Sequence, residues 1–398
     1  MARSRIHHRR AAALLWFVSL TIFPLGCDIV LGISDVEFVG DEPGPPAPWW
    51  NEEFAYRTRL LIDVPVLEEP LQDVPLLLKF DDLGTPFIAN TQEGGLRVVD
   101  EQNNPLNHDM EVFDPNGESA LWVRIPSMKS ATPFSLYLYY GGPPTGPQPN
   151  EPDVWRSDYL AVWHLNEDAT NESTLAVHND ATGHGHTGRQ NYNGATPPGV
   201  GAIGGAQDFD GANDHIVVDA VNAIATGYGA MTILARVYLR QNAALEYPHI
   251  VAAGGLQTSG GYRQLYWDQS ATSWVARYRA QGQDPSLVGN AGDYDQWAVV
   301  ASVYNGADIR MYLDGLQVGD PVPLSGNLSP INTFIIGNNP DLEAQDGADR
   351  DFDGYLDEIR VSTVARSSDW MHIQAMSMNG ELITFGTTGC LGECPPPR

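Results

Sequence analysis

The chain has 398 residues, 42% of them apolar, with 50 acids against 22 lysines and arginines and a formal charge of −28. The length suits two domains rather than one, and the apolar content is that of globular protein, which excludes disorder and a membrane bundle. So acidic a chain lacks the basic patches that phosphate binding needs, so nucleic acid is excluded as a partner.

In chain order, MARSRIHHRR followed by AAALLWFVSLTIF places arginines before an apolar run too short to span a bilayer, the layout of an export signal over residues 1–26. Its removal takes away four arginines and no acid, moving the formal charge from −28 to −32. The Leu25-Gly26-Cys27 ending resembles the bacterial lipoprotein box, although Pro24 stands where leucine is usual. That resemblance implies that Cys27 carries lipid and tethers the chain to a membrane of the bacterial cell envelope. Ordinary secretion is the alternative. With Cys27 acylated, Cys390 and Cys394 remain as a matched disulfide pair, which an exported compartment permits.

Two proline-rich stretches, DEPGPPAP and GGPPTGPQPNEP, read as stiff linkers. They divide the mature chain into a tether (27–48), a first domain (49–142), a linker (143–154), a larger domain (155–386) and a Cys/Pro tail (387–398). In the first domain RTRLLIDV, PLLLKF, LRVVD, ALWVRI and FSLYLYY are short β-branched or aromatic runs between turn residues, the pattern of an antiparallel β-sandwich. The larger domain repeats it in YLAVWHL, HIVVD, MTILARVYL, YRQLYW, SWVARYR, WAVVASVY, IRMYLDG, TFIIGN and YLDEIRVS. RSSDWMHIQAMSM is a helix that Ser367 or Ser368 can cap. The fold expected is all-β, a sandwich followed by a two-sheet jelly roll.

WWNEEFAYRTRLLID, LQDVPLLLKF and WVRIPSMKS leading into LYLYYGG resemble the domain of unknown function 2341, which implies no activity. VWRSDYLAVWHLNE, DATGHGHTG, GGAQDFDGANDHIVV, MYLDGLQVG, FIIGNN and DFDGYLDEIRVSTVARSSDW resemble the laminin G-like, concanavalin A-like jelly rolls of bacterial surface proteins. Such folds host lectins, adhesion modules and glycosidases, so the resemblance leaves function to the site.

The motif DFDGANDHIVV at 208–218 returns as DFDGYLDEIRV at 351–361. Alternation along each strand puts Asp214 with Ile216 and Val218, and Asp357 with Ile359 and Val361. A carboxylate on an apolar face needs turn N–H groups, a basic side chain or a metal ion. Asp349, Asp351, Asp353, Gly354 and Asp357 reproduce the opening of a calcium loop, but Arg360 at the twelfth position excludes an EF-hand. With Asp210 and Asp214 these acids are candidates for Ca2+ of another geometry, as is common in laminin G-like domains. The competing reading is that the aspartates cap glycine turns.

His164, His178, His184 and His186 are dense, yet their spacing matches no zinc pattern and their glycine-rich surroundings read as a solvated loop. Tyr262, Tyr266, Trp267, Trp274 and Tyr278 crowd one hairpin, where flat rings beside polar groups can stack on sugars, with sandwich core as the alternative. Trp163, Trp297 and Trp370 are assigned to core. The closely spaced Glu-x-Asp-x-Glu strand of this fold's glycosidases is missing, as is a G-x-S-x-G elbow. The function expected is therefore non-catalytic binding of a glycan or an extracellular protein at the envelope, with the membrane reached only through the anchor. The alternatives are a polysaccharide hydrolase or lyase and a structural spacer.

Overall fold

A computed structural model of the protein describes residues 48–80, 92–144, 151–155, 158–167, 177–190, 198–218, 227–254, 262–289, 292–331 and 333–392, with backbone alone at 198–202. The export signal, Cys27, most of the tether and Cys394 lie outside the described residues, and with them the lipid and disulfide expectations.

The first sandwich is built from β1 (Tyr56–Ile62), β2 (Leu71–Phe80), β3 (Arg97–Asp100), β4 (Pro105–Leu106), β5 (His108–Val112), β6 (Ser119–Met128) and β7 (Phe134–Tyr140). The jelly roll begins with β8 (Tyr159–Trp163), β9 (Val177–His178), β10 (Gly188–Gln190), β11 (Pro198–Ile203), β12 (Gly205–Asp210), β13 (Ile216–Val218), β14 (Met231–Leu239) and β15 (His249–Ala253). It continues through β16 (Arg263–Asp268), β17 (Ser273–Tyr278), β18 (Ser286–Val288), β19 (Trp297–Tyr304), β20 (Asp308–Leu313), β21 (Leu316–Pro323), β22 (Phe334–Ile336) and β23 (Asp353–Ser362). The described residues also hold the α-helices α1 (Pro340–Asp346) and α2 (Ser368–Met378) and a last strand, β24 (Ile383–Cys390).

Every strand pair is antiparallel, as the alternating pattern requires. One jelly-roll sheet runs β18-β17-β16-β15-β22-β13-β10-β9 and the other β11-β12-β23-β14-β19-β20-β21, with β8 also on β23. β20 and β21 are joined through Asp314 (φ 47) and Gly315 (φ 78), the paired left-handed residues that a two-residue hairpin demands. Gly315 also lies under α2, where a Cβ would come within 2.7 Å of the His372 Cα.

The second jelly-roll sheet is covered on both faces. Ile233, Ala235 and Val237 of β14 enter the core between the two jelly-roll sheets. Leu234 of β14 and Val299, Ala301 and Val303 of β19 point the other way, into a core shared with α2 and the first sandwich. This is why β19 reads WAVVASVY with almost no polar interruption.

Helix α2 is the wedge between the layers. Ser367 caps it, its hydroxyl accepting from the Trp370 N–H at 3.2 Å. Gln374 donates to the Pro75 carbonyl at 2.8 Å, and the Leu77 N–H donates to the Ser377 hydroxyl at 2.8 Å. β24 then pairs with β1, so the end of the chain extends the sheet β24-β1-β7-β3-β4, which faces the smaller sheet β2-β6-β5. The boundary drawn at residue 386 falls inside β24, and residues 48–398 cluster as one compact unit. Among the described residues no helix is long and apolar enough to cross a membrane.

Candidate functional site

The duplicated motif pairs with itself: β12 and β23 run antiparallel with Phe209 opposite Gly354 and Asp210 opposite Asp353. Only the first copy makes a turn, at Gly211 (φ 78); in the second, Gly354 lies within β23, where a Cβ would stand 2.0 Å from the Tyr238 carbonyl oxygen. The reading of two equivalent glycine turns is corrected accordingly.

Of the six acids singled out as calcium ligands, Asp210 stands opposite Asp353 and Asp214 feels the charges of Asp210 and Asp351, but among the described residues no three of them bring donor atoms within 4.8 Å of one another. Asp353 meets Arg240 at 3.1 Å and Asn242 at 3.0 Å, and Asp208 meets Arg240 at 2.5 Å, so a guanidinium compensates this pair. Asp214 accepts from the Asp210 N–H at 3.1 Å, and burial, added to by the Asp210 carboxylate, lifts its carboxyl to about 7. The Asp351 carboxylate accepts from the Asn338 amide while its own backbone N–H donates to Asp349 Oδ1 at 3.1 Å, and burial lifts its carboxyl to about 6. Asp357 is elsewhere altogether.

The reason is a bulge. Opposite β14 the pairing slips between Arg236–Asp357 and Leu234–Arg360, and Glu358 at φ 53 is the extra residue. Leu356, Ile359 and Val361 face the jelly-roll core, while Asp357 and Arg360 face out of it toward the first sandwich. The expectation that Asp357 shares a face with Ile359 and Val361 fails because the inserted residue breaks the period of two.

That outward face meets β5, whose Asp109 and Glu111 lie on one side of the strand, and forms a buried polar junction. His164, directly after β8, contacts Glu358 Oε1 through Nδ1 at 2.5 Å and Asp109 Oδ2 through Nε2 at 3.2 Å. Glu111 Oε2 stands 3.7 Å from His164 Nδ1 and accepts from Trp122 Nε1 at 2.7 Å. Trp155, at the end of the proline-rich linker, donates to Asp109 at 2.7 Å. The Arg360 guanidinium lies 3.9 Å from the Trp122 ring centre and 4.6 Å from that of Trp155, donates to Glu358 Oε2 at 2.8 Å, and reaches Gln374 at 2.9 Å.

The electrostatics follow from burial. Burial, reinforced by the Glu358 charge, pushes the Glu111 and Asp357 carboxyls well above the usual range. Burial also pulls Glu358 upward, but Arg360 and His164 outweigh it and hold that carboxyl at about 2. For His164 burial opposes the charge, yet the neighbouring carboxylates win and raise its pKa well above 6.5. These directions favour charge on His164 and Glu358 and the neutral form of Glu111 and Asp357.

A cavity of about 410 Å³ opens onto this cluster. The first sandwich and linker contribute Asp109, Glu111 and Glu151; the jelly roll contributes His164, Asn166, Glu167, Asn179 and Asp180. Asp180 shapes the wall, accepting from Thr182 N–H at 3.1 Å and His186 N–H at 3.1 Å. Glu167 accepts from His178 at 3.0 Å and the Asn179 N–H at 2.7 Å. The histidine stretch is only in part the solvated loop expected: Gly183, His184 and Gly185 are exposed, but His178 and His186 are buried. Among the described residues, Glu111, His164 and Glu358 are the set of three or more His, Cys, Asp or Glu whose donor atoms come within 4.8 Å of one another.

The aromatic rings expected to stack on a ligand go elsewhere. Trp267, Trp274 and Tyr278 are core, and Tyr262 is buried beneath Arg277, whose guanidinium is 4.9 Å from the ring centre. Tyr266 is half-buried and stacks on His249 at 4.8 Å. Period-two alternation favoured the sugar reading only if one face of this hairpin met solvent, and the opposing sheet covers it. Trp163 and Trp370 are buried as expected, but Trp297 is half-buried and packs with Tyr238 and Tyr355 on the outer face.

Two antiparallel sheets closed by β23 between β12 and β14 define a concanavalin A-like jelly roll joined to a smaller β-sandwich. Residues 210–372 match the concanavalin A-like lectin/glucanases superfamily, and residues 92–174 match the domain of unknown function DUF2341. No curated protein matches the chain. Among solved structures it is similar to domain 4 of an extracellular arabinanase from Geobacillus stearothermophilus in complex with arabinotriose, at 16% identity and TM-score 0.41, covering 54% of this chain and 97% of that one. It is also similar to the botulinum neurotoxin serotype D ligand binding domain in complex with N-acetylneuraminic acid, at 11% identity and TM-score 0.42, covering 56% of this chain and 51% of that one.

Proposed function

We propose that the protein is an exported, envelope-anchored binding protein that takes a carbohydrate into the junction cavity without chemistry. The observation that carries this reading is the lining: carboxyl groups of Asp109, Glu111, Glu151, Glu167 and Asp180 and amides of Asn166 and Asn179 around about 410 Å³. Sugar hydroxyls are donors, and such a ring of acceptors complements them; the volume lies in the range of ligand pockets. The formal charge of −28 favours neutral or amino sugars over acidic ones. Export and the lipid at Cys27 rest on the sequence of residues 1–27.

A glycan array probed with the full chain tests this. Neutral or amino sugars are expected to bind, and Asn179→Trp, which fills the cavity from its wall, is expected to abolish binding. An array without signal, or binding untouched by Asn179→Trp, would remove the cavity from the account. A hydrolase reading has one observation in its favour: Asp109 and Glu111 both reach His164 from β5, and burial with the Glu358 charge pushes the Glu111 carboxyl well above the usual range, the direction a general acid needs. Release of reducing ends from a bound glycan, lost in Glu111→Gln, would replace binding with hydrolysis.

A further inference from the structure

We infer that Glu111, His164 and Glu358 are the protein ligands of a divalent transition-metal site in the floor of the junction cavity. One donor atom of each lies within 4.8 Å of the others. Donors on a tetrahedral ion at about 2.1 Å stand about 3.4 Å apart, so an ion entering here parts His164 Nδ1 from Glu358 Oε1, now 2.5 Å apart, and draws in the wider spacings of up to 4.8 Å.

His164 and Glu358 are each already held through an atom that the ion does not need. His164 turns Nδ1 toward both glutamates while Nε2 meets Asp109 at 3.2 Å, the carboxylate–histidine arrangement that orients metal-bound imidazoles. Arg360 occupies Glu358 Oε2 at 2.8 Å, leaving Oε1 beside Nδ1. Trp122 occupies Glu111 Oε2 at 2.7 Å, and Glu111 Oε1 has no hydrogen-bond partner although the side chain is fully buried. A buried carboxylate oxygen without a donor is costly, and a cation at this point satisfies it.

Charge complements the geometry. With a neutral imidazole and with Glu111 and Glu358 ionised, the two ligand charges match those of a dication, which takes the place of the protons these three groups otherwise hold. An imidazole ligand selects a first-row transition ion over calcium or magnesium, and three protein ligands leave a coordination position facing the cavity. The ion's binding does not depend on whether the cavity takes a sugar.

The test uses the full chain, stripped with chelator, titrated with zinc chloride by calorimetry and with cobalt chloride by visible absorption. One zinc per chain and a cobalt ligand-field band are expected. Both should weaken at least tenfold in Glu111→Gln and in His164→Ala, and tenfold to a hundredfold in the positioning variant Asp109→Asn. Circular dichroism of each variant separates lost binding from lost fold, and Glu111→Gln, which keeps the shape and an oxygen for Trp122, decides the matter if His164→Ala does not fold. A wild-type chain that takes up neither ion, or a folded Glu111→Gln variant that binds as the wild type does, overturns the inference.

Discussion

Replacing Arg360 by Met would test whether the two sandwiches unfold as one. The guanidinium is buried, with Glu358 Oε2 at 2.8 Å from Nε, Gln374 at 2.9 Å from Nη1, and the Trp122 and Trp155 rings at 3.9 and 4.6 Å. Met fills much of the volume but leaves Glu358 buried with His164 as its remaining cation. Breaking one side of a buried pair costs about 3–5 kcal/mol, and this figure already contains most of the lost cation–π attraction, so the two are not summed. Because Arg360 belongs to β23 while Trp122 belongs to β6, the loss should appear in the unfolding of both sandwiches together. Urea unfolding followed by tryptophan fluorescence and by far-UV circular dichroism should give coincident transitions, displaced together in Arg360→Met. Adding Glu358→Met should restore much of the loss. A variant within about 1 kcal/mol of the wild type, or one that splits the transition in two, would refute the reasoning.

Three further outcomes are expected. Gly354→Ala should destabilise the chain by about 3 kcal/mol or more in the same urea assay, because its Cβ meets the Tyr238 carbonyl oxygen at 2.0 Å; a change under about 1 kcal/mol would mean that β14 and β23 separate freely. The Asp214 carboxyl is raised by burial to about 7 from an ordinary 3.8, so its favourable contribution is present below pH ~4 and lost as pH rises toward 7. Asp214→Asn should therefore gain on the order of 1–2 kcal/mol over the wild type at pH 8 and nothing at pH 4, after allowance for solvent screening. Calcium at this turn would reverse that order at pH 8, and chelator would restore it. For the anchor, Cys27→Ser should move the protein from membrane to soluble fractions, and unchanged partitioning would discard lipidation.

Much of the scaffold was legible because local chemistry decides it. Alternation gave the strands, and the Ser367-Ser368 pair the start of α2, which Ser367 caps. The candidate site was not, for two physical reasons. Its residues come from β5, the end of β8 and β23, so Asp109, His164 and Glu358 are brought together by packing between layers and share no spacing. The bulge at Glu358 then turned a correct suspicion, that an acid in this strand needs compensation, toward the wrong face. The signal that was available is the run Asp357-Glu358-Ile359-Arg360, which places two acids and a base in a strand too apolar to be exposed. The hairpin aromatics misled because period two identifies a face without saying whether a second sheet covers it.

The central claim, that the cavity between the sandwiches is the ligand site, is tested most directly by hydrogen–deuterium exchange on the full chain with and without a glycan taken from the array. Protection is predicted in β5, in residues 164–167 and in residues 177–183, the walls of the cavity. Protection confined to the β16–β17 hairpin, with those walls unchanged, would contradict it.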